Sequence, residues 1–134
     1  YGLAWSPDGG LLAVGFEDRL RVELLASSDL RTLLVPETAG LGGEGTPAVA
    51  WASDSRGGVQ LHAAGYARRA AGAPARGIST AGPTAAPRLT DRDFVIRRWA
   101  DFGLGPATDI PAARDAISHL LPLPGGGLAY AAAD

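Results

Sequence analysis

The stretch AWSPDGGLLAVGFED (residues 4–18) half-recurs as AWASDSRGGVQLHAAG (residues 50–65). In each copy an Ala-Trp pair precedes a turn, and the turn precedes an apolar run. Pro7-Asp8-Gly9-Gly10 has the chemistry of a tight turn: proline fixes φ, aspartate bonds its own backbone, and glycine accepts positive φ. The flanking runs have strand length, about five to seven residues. A strand–turn–strand phrase written twice predicts a fold assembled from equivalent sheets.

Outward from that phrase, the first unit reads as four runs, residues 2–6, 11–16, 20–26 and 30–36. Their joints are Pro7-Asp8-Gly9-Gly10, Glu17-Asp18-Arg19 and Ser27-Ser28-Asp29. Arg19, Arg21 and Glu23 alternate with Leu20, Val22 and Leu24, the period of a half-buried strand. A second unit follows residues 37–46, with runs at 47–52 and 58–66. Residues 67–93 are a stretch of Ala, Gly, Pro, Arg and Thr without periodicity. The strand pattern resumes at 94–99, with a weaker run at 106–110. A third unit begins near Ala116, turns at Pro124-Gly125-Gly126-Gly127 and runs through 128–133. Trp51 follows Trp5 by 46 positions and Pro124 follows Pro7 by 117, so the second repeat exceeds the first by 25. That excess is close to the length of the aperiodic stretch, which reads as an insertion within a repeat. A helix capped at Asp109-Ile110-Pro111 competes locally, because Ala113, Ile117, Leu120 and Leu121 fall at helical spacing. The repeat register favours a strand there.

Composition narrows the function classes. The chain has 134 residues, enough for one ordinary domain, and its 46% apolar content argues against wholesale disorder. A net charge of −2 and a pI near 5.6 give no electrostatic reason to expect nucleic acid or an anionic membrane as partner. No apolar run reaches the roughly 18 residues of a membrane span. There is no Cys, hence no disulfide, thiolate zinc site or cysteine nucleophile. A reducing, cytoplasmic compartment fits that absence, as would a cysteine-free exported domain. Every basic residue is Arg and Ala is abundant, the mark of a GC-rich genome. A start at Tyr1 and a stop just after an apolar run are expected of a section of a longer protein.

No catalytic, cofactor-binding or metal-ligating set is expected. His62 and His119 are the only histidines, and neither has metal-ligand spacing to a carboxylate. No Gly-x-Ser-x-Gly elbow occurs. Gly40, Gly42, Gly43 and Gly45 lack the lysine of a phosphate loop. Trp5, Trp51 and Trp99 are assigned to core between repeats, and Asp8, Asp18 and Asp54 to turns. The insertion carries Arg68, Arg69, Arg76, Arg88 and Arg92 against Asp91 and Asp93, a local charge of +3. Two readings stand for it: a solvated surface excursion, or a surface that docks an acidic protein partner. It lacks an aromatic residue on which a nucleic-acid base would stack.

The phrases AWSPDGGLLAVGFEDRLRVELL, AWASDSRGGVQLHAAG, FVIRRWAD and LLPLPGGGLAYAAAD together resemble bacterial WD-repeat β-propellers, over nearly all of the chain outside the insertion. The strand-ending Trp-Asp pair of that family resembles Trp99-Ala100-Asp101, with one residue between. Leu24 stands in for the Trp in the first unit. The Gly-His pair that precedes a WD repeat's inner strand is missing from both units, so the family's His/Asp/Trp network is not carried over, and Asp18 is left to brace its own turn. Ser6-Pro7-Asp8-Gly9 is also similar to a phrase in Tol-type periplasmic propellers and in the propellers of some serine peptidases. Residues 94–134 look like WD-repeat regions that sit beside caspase-like peptidase domains.

The resemblance implies an all-β fold, a partial propeller of four-stranded antiparallel blades: one blade over 1–36, one over 47–110 with residues 67–93 inserted, and an incomplete one over 116–134. Each blade is apolar on both faces and must stack on its neighbours. A section of a ring therefore leaves a blade face and strand edges uncovered. The tight turns fall on one face of the ring, and residues 37–46 and 67–93 on the other. The implied function is a cofactor-free, non-catalytic scaffold for protein–protein interaction. Its partners are a protein and the remaining blades of the parent chain, with neither nucleic acid nor membrane. The alternatives are the propeller of a hydrolase, a Tol-type ligand-binding propeller, a region flanking a caspase-like peptidase domain, or a spacer.

Overall fold

The computed structural model describes residues 2–16, 21–42, 48–67 and 94–133. It is all-β and antiparallel. Strands β1 (Gly2–Trp5), β2 (Leu11–Phe16), β3 (Arg21–Ala26) and β4 (Thr32–Leu34) form a four-stranded meander in chain order. The second sheet holds β5 (Leu41–Gly42), β6 (Val49–Ser53), β7 (Val59–Ala67), β8 (Phe94–Trp99) and β9 (Ala107–Ala113). In it β5 and β6 lie end to end along one edge of β7, β5 opposite Tyr66 and Ala67 and β6 opposite Val59 to Ala63. Strands β10 (Ile117–Pro122) and β11 (Leu128–Ala132) form a separate hairpin. The insertion with its five arginines, and the Glu17-Asp18-Arg19 turn, lie outside the described residues, apart from Ala67 at the end of β7.

The turns show why the chain reverses where it does. Ser6 donates its hydroxyl to Asp8 Oδ1 at 2.6 Å and accepts the Leu11 N–H at 2.9 Å, while Gly10 N–H also reaches Asp8 Oδ1. The Ser6 hydroxyl and then the Gly10 amide hold the Asp8 carboxyl below its ordinary pKa. Asp54 Oδ1 braces the corresponding turn of the second repeat by accepting the Arg56 and Gly58 amides at 2.8 Å. The β1–β2 and β3–β4 turns meet at one end of the first sheet, where Ser27 N–H donates to Gly10 O.

Where helix and strand competed, strand is found, in two pieces. Residues 107–113 pair with β8, and residues 117–122 pair with β11. Pro111 is tolerated because β9 is an edge strand, where a missing N–H costs no ladder bond. Cross-strand pairing outweighs the helical spacing of Ala113, Ile117, Leu120 and Leu121. The pair β5 inside residues 37–46 was not anticipated, nor was the 3-10 turn Asp101–Gly103.

The sheets stack face to face in a propeller-like arrangement. Between the first and second lie Ala13, Val22, Leu24, Val49, Trp51, Leu61, Ala63 and Trp99. On the opposite face of the second sheet Ala48, Ala64 and Ile96 meet Ile117 of the β10–β11 hairpin. Covered on both faces, β6, β7 and β8 read as near-continuous apolar runs rather than as an alternation. Trp51 is 3% exposed, and its Nε1–H donates across the interface to Ala4 O at 3.0 Å. The 3-10 turn plugs the same interface: Phe102 lies against Trp51, with ring centroids 6.1 Å apart. Its residues Asp101 (φ 47°), Phe102 (φ 52°) and Gly103 (φ 86°) are all left-handed. A Cβ on Gly103 would sit 3.0 Å from Leu24 Cδ1, so the backbone here approaches the core as closely as glycine permits.

Trp5 differs from Trp51 in its surroundings. Ala4 packs toward the second sheet, so Trp5, the next residue along β1, points to the other side and is 55% exposed. Both indoles project toward the preceding side of the stack, but nothing among the described residues covers the first sheet's outer face. The heights differ too: Trp5 ends its strand, whereas Trp51 stands two residues before the end of β6.

Candidate functional site: a cleft between the second sheet and the hairpin

The register of the second sheet places Ala50, His62, Arg98 and Thr108 in one row across β6, β7, β8 and β9. The adjacent row holds Ala64, Ile96 and Ile110. One face is thus apolar at the end where Ile117 seats and polar at the other. Over the polar end the β10–β11 hairpin leaves an open cleft of about 540 Å³. Asp54, Gln60, His62 and Arg98 line it from the sheet, and Leu128 and Tyr130 from the hairpin. The Tyr130 hydroxyl donates to Ala112 O, pinning the hairpin to β9. Gly125, Gly126 and Gly127 form the rim with φ of 84°, 96° and 98°. A Cβ on Gly126 would lie 3.1 Å from Ser53 O, so side-chain-free backbone is what lets this turn lie over the second repeat.

His62 is 5% exposed, and its Nδ1 has no hydrogen-bond partner among the described residues. Burial pushes its pKa below the ordinary histidine value, the positive charge of Arg98 adds to that, and the Gln60 carbonyl opposes both in part. The ring is therefore neutral at pH 7. Arg98 is half-buried and has no ion-pair partner among the described residues. Its neighbour Arg97 points to the opposite face and is fully engaged. Arg97 Nε and Nη2 grip both Asp109 oxygens at 2.6 and 2.8 Å, and Nη1 donates to Ala39 O at 2.8 Å. The hydrogen bonding that Arg97 donates to Asp109 is the main cause of its raised pKa. One arginine therefore clamps the connection between sheets, and the other faces the cleft.

Among the described residues no three His, Asp or Glu groups converge to hold a metal ion. The hydrogen bond between a histidine and a hydroxyl that is present, Ser118 with His119, lies on an exposed stretch of β10 away from this cleft. Among the described residues the arrangement offers a guanidinium without an ion-pair partner, a buried imidazole and an apolar wall.

Of the residues singled out in the sequence, Trp51 and Trp99 lie in the core between the first two sheets. Trp5 lies on the uncovered outer face. Asp18, Arg68, Arg69, Arg76, Arg88 and Arg92 fall outside the described residues. The juxtaposition of His62 with Arg98 was missed. Its signal was present as polar residues interrupting the apolar runs LHAAG and FVIRRW, but pairing them requires the register of β7 against β8. Fold and site together define an all-β, propeller-like stack with a ligand-sized cleft between adjacent sheets. Comparison of the chain with family models, with curated proteins and with solved structures finds no match.

Proposed function

We propose that this chain is a section of a WD-like β-propeller that acts as a non-catalytic scaffold for a protein partner. The observation that carries this reading is the repeated stacking: two successive antiparallel sheets and a following hairpin lie face on face, with Trp51 hydrogen-bonded to the sheet before it. A stack of this kind holds its loops at fixed spacing, so a partner docks with little ordering entropy to lose. The exposed Trp5 and Leu3 face is where a further blade of the parent ring packs. The basic segment containing Arg68, Arg69, Arg76, Arg88 and Arg92 is the surface offered to an acidic partner. The test is quantitative co-purification with the intact protein and with a version lacking residues 68–93, folding being checked by circular dichroism. A stoichiometric partner that is lost on deletion supports the reading. A partner retained unchanged, or none recovered with either form, refutes it.

A further inference from the structure

We infer that the cleft between the second sheet and the β10–β11 hairpin binds a small aliphatic carboxylate, with the anionic head on Arg98 and His62 and the hydrocarbon tail against Ile96, Ile110 and Leu128. This goes beyond the scaffold reading and does not depend on it.

The size and lining of the cleft both suit a small molecule. About 540 Å³ is within the roughly 300–1,000 Å³ of small-molecule sites. Such sites pair an apolar wall with a few placed polar groups, as the row Ala64, Ile96, Ile110 beside the row His62, Arg98 does here. A half-buried guanidinium without an ion-pair partner among the described residues is unusual, since buried polar groups are nearly always paired. An anion answers it directly, because the planar fork of arginine matches a carboxylate in bidentate fashion. A cation is disfavoured by Arg98. A dianion is disfavoured by Asp54, whose carboxylate shares the cleft while its Oδ1 is committed to the Arg56 and Gly58 amides. A single negative charge with an apolar tail is the class that remains. The aromatic group in the lining, Tyr130, uses its hydroxyl on Ala112, which leaves aliphatic contact as the main interaction open to the tail.

The test uses the intact protein, with hexanoate as probe and the His62 ring-proton resonance as reporter. Acetate, hexanol and a doubly capped glutamate serve as comparison ligands. The charged groups facing His62 are Arg98 and Asp54, so a carboxylate bound beside the ring raises its titration midpoint. Hexanoate is expected to raise that midpoint, and acetate to bind at least about tenfold more weakly for want of a tail. Hexanol should leave the midpoint unmoved. Arg98→Ala should weaken hexanoate about tenfold to a hundredfold, with Arg98→Gln tested alongside so that misfolding of either leaves the other informative. Leu128→Ala should weaken hexanoate and spare acetate. No midpoint change with hexanoate, or equal affinity in both Arg98 variants, overturns the proposal. Tighter binding of the capped glutamate than of hexanoate assigns the cleft to a peptide side chain and overturns the small-ligand assignment.

Discussion

Replacing Trp51 by alanine removes an indole that links the first and second sheets. The indole is 3% exposed, lies against Phe102 and shares its core with Trp99, Leu24 and Leu61. Truncating a buried aromatic residue to alanine costs about 3–5 kcal/mol. It also strands the Ala4 carbonyl that accepts Nε1–H, which adds about 1 kcal/mol where water does not replace the donor. Against a total stability of about 5–15 kcal/mol, that loss is about a fifth or more of the fold. Trp51→Phe separates the two contributions, since it keeps most of the ring and loses the donor, and about 1–2 kcal/mol is expected. Leu33→Ala is the control: Leu33 lies exposed on β4, and its truncation should stay within about 0.5 kcal/mol. Urea titrations followed by circular dichroism give all three values from the midpoint, provided the slope is unchanged. The reasoning requires the order Trp51→Ala, then Trp51→Phe, then Leu33→Ala. A Trp51→Ala midpoint equal to that of Leu33→Ala would mean that the two sheets do not share this core.

Arg97→Met keeps much of the side-chain volume but leaves Asp109 and the Ala39 carbonyl without their donor. Because Asp109 is about one-third exposed, the loss should be about 2 kcal/mol, below that of a fully buried pair, read by the same titration. Burial of neutral His62 makes stability depend on pH. Above about pH 6.5 neither state is protonated and the fold has its full stability; below it the unfolded ring takes up a proton that the native ring refuses, so stability falls as pH falls, by at most about 1.4 kcal/mol per pH unit, until the lowered native pKa is passed. His62→Gln should flatten that slope in melts between pH 7.5 and pH 5, taken as roughly the histidine range. Ser6→Ala removes one hydrogen bond to the Leu11 amide and one to Asp8, and should destabilise by about 1 kcal/mol in thermal melts while leaving the His62 resonance in place.

Much of the fold was legible because turn chemistry is local. Asp8 and Asp54 bond amides within four residues of themselves, so a short window of sequence contains the whole interaction. Strands β2 and β8 were legible for the same reason, bounded by turn residues and apolar between. Three features were not. β5 is two residues long and exists only through its pairing with Tyr66 and Ala67. The 3-10 turn requires left-handed backbone at Asp101, which aspartate tolerates, and at Phe102, which a bulky residue disfavours; packing of Phe102 on Trp51 holds it. The cleft depends on which side of the second sheet each residue of FVIRRW faces, and that parity is fixed by pairing rather than by composition.

That parity sets the different surroundings of the two arginines of β8. Arg97 and Arg98 are adjacent and chemically identical, yet one is clamped by Asp109 and the Ala39 carbonyl and the other faces the cleft. Asp109 decides which, because it lies directly opposite Arg97 in the β8–β9 register and on the same face. A slip of β8 by one residue in one direction would set Arg97 against Thr108 and Ile96 against Asp109, breaking the ion pair; in the other it would hand Asp109 to Arg98 and set Arg97 against Ile110. It would also turn Val95 and Trp99, now buried against the first sheet's side, toward the cleft. The ion pair therefore does more than link two strands. Together with the burial of Val95 and Trp99, which either slip would lose, it marks the register that keeps Trp99 in the core and leaves Arg98 beside His62 without an ion-pair partner among the described residues, which is the condition for the proposed binding of an anion there.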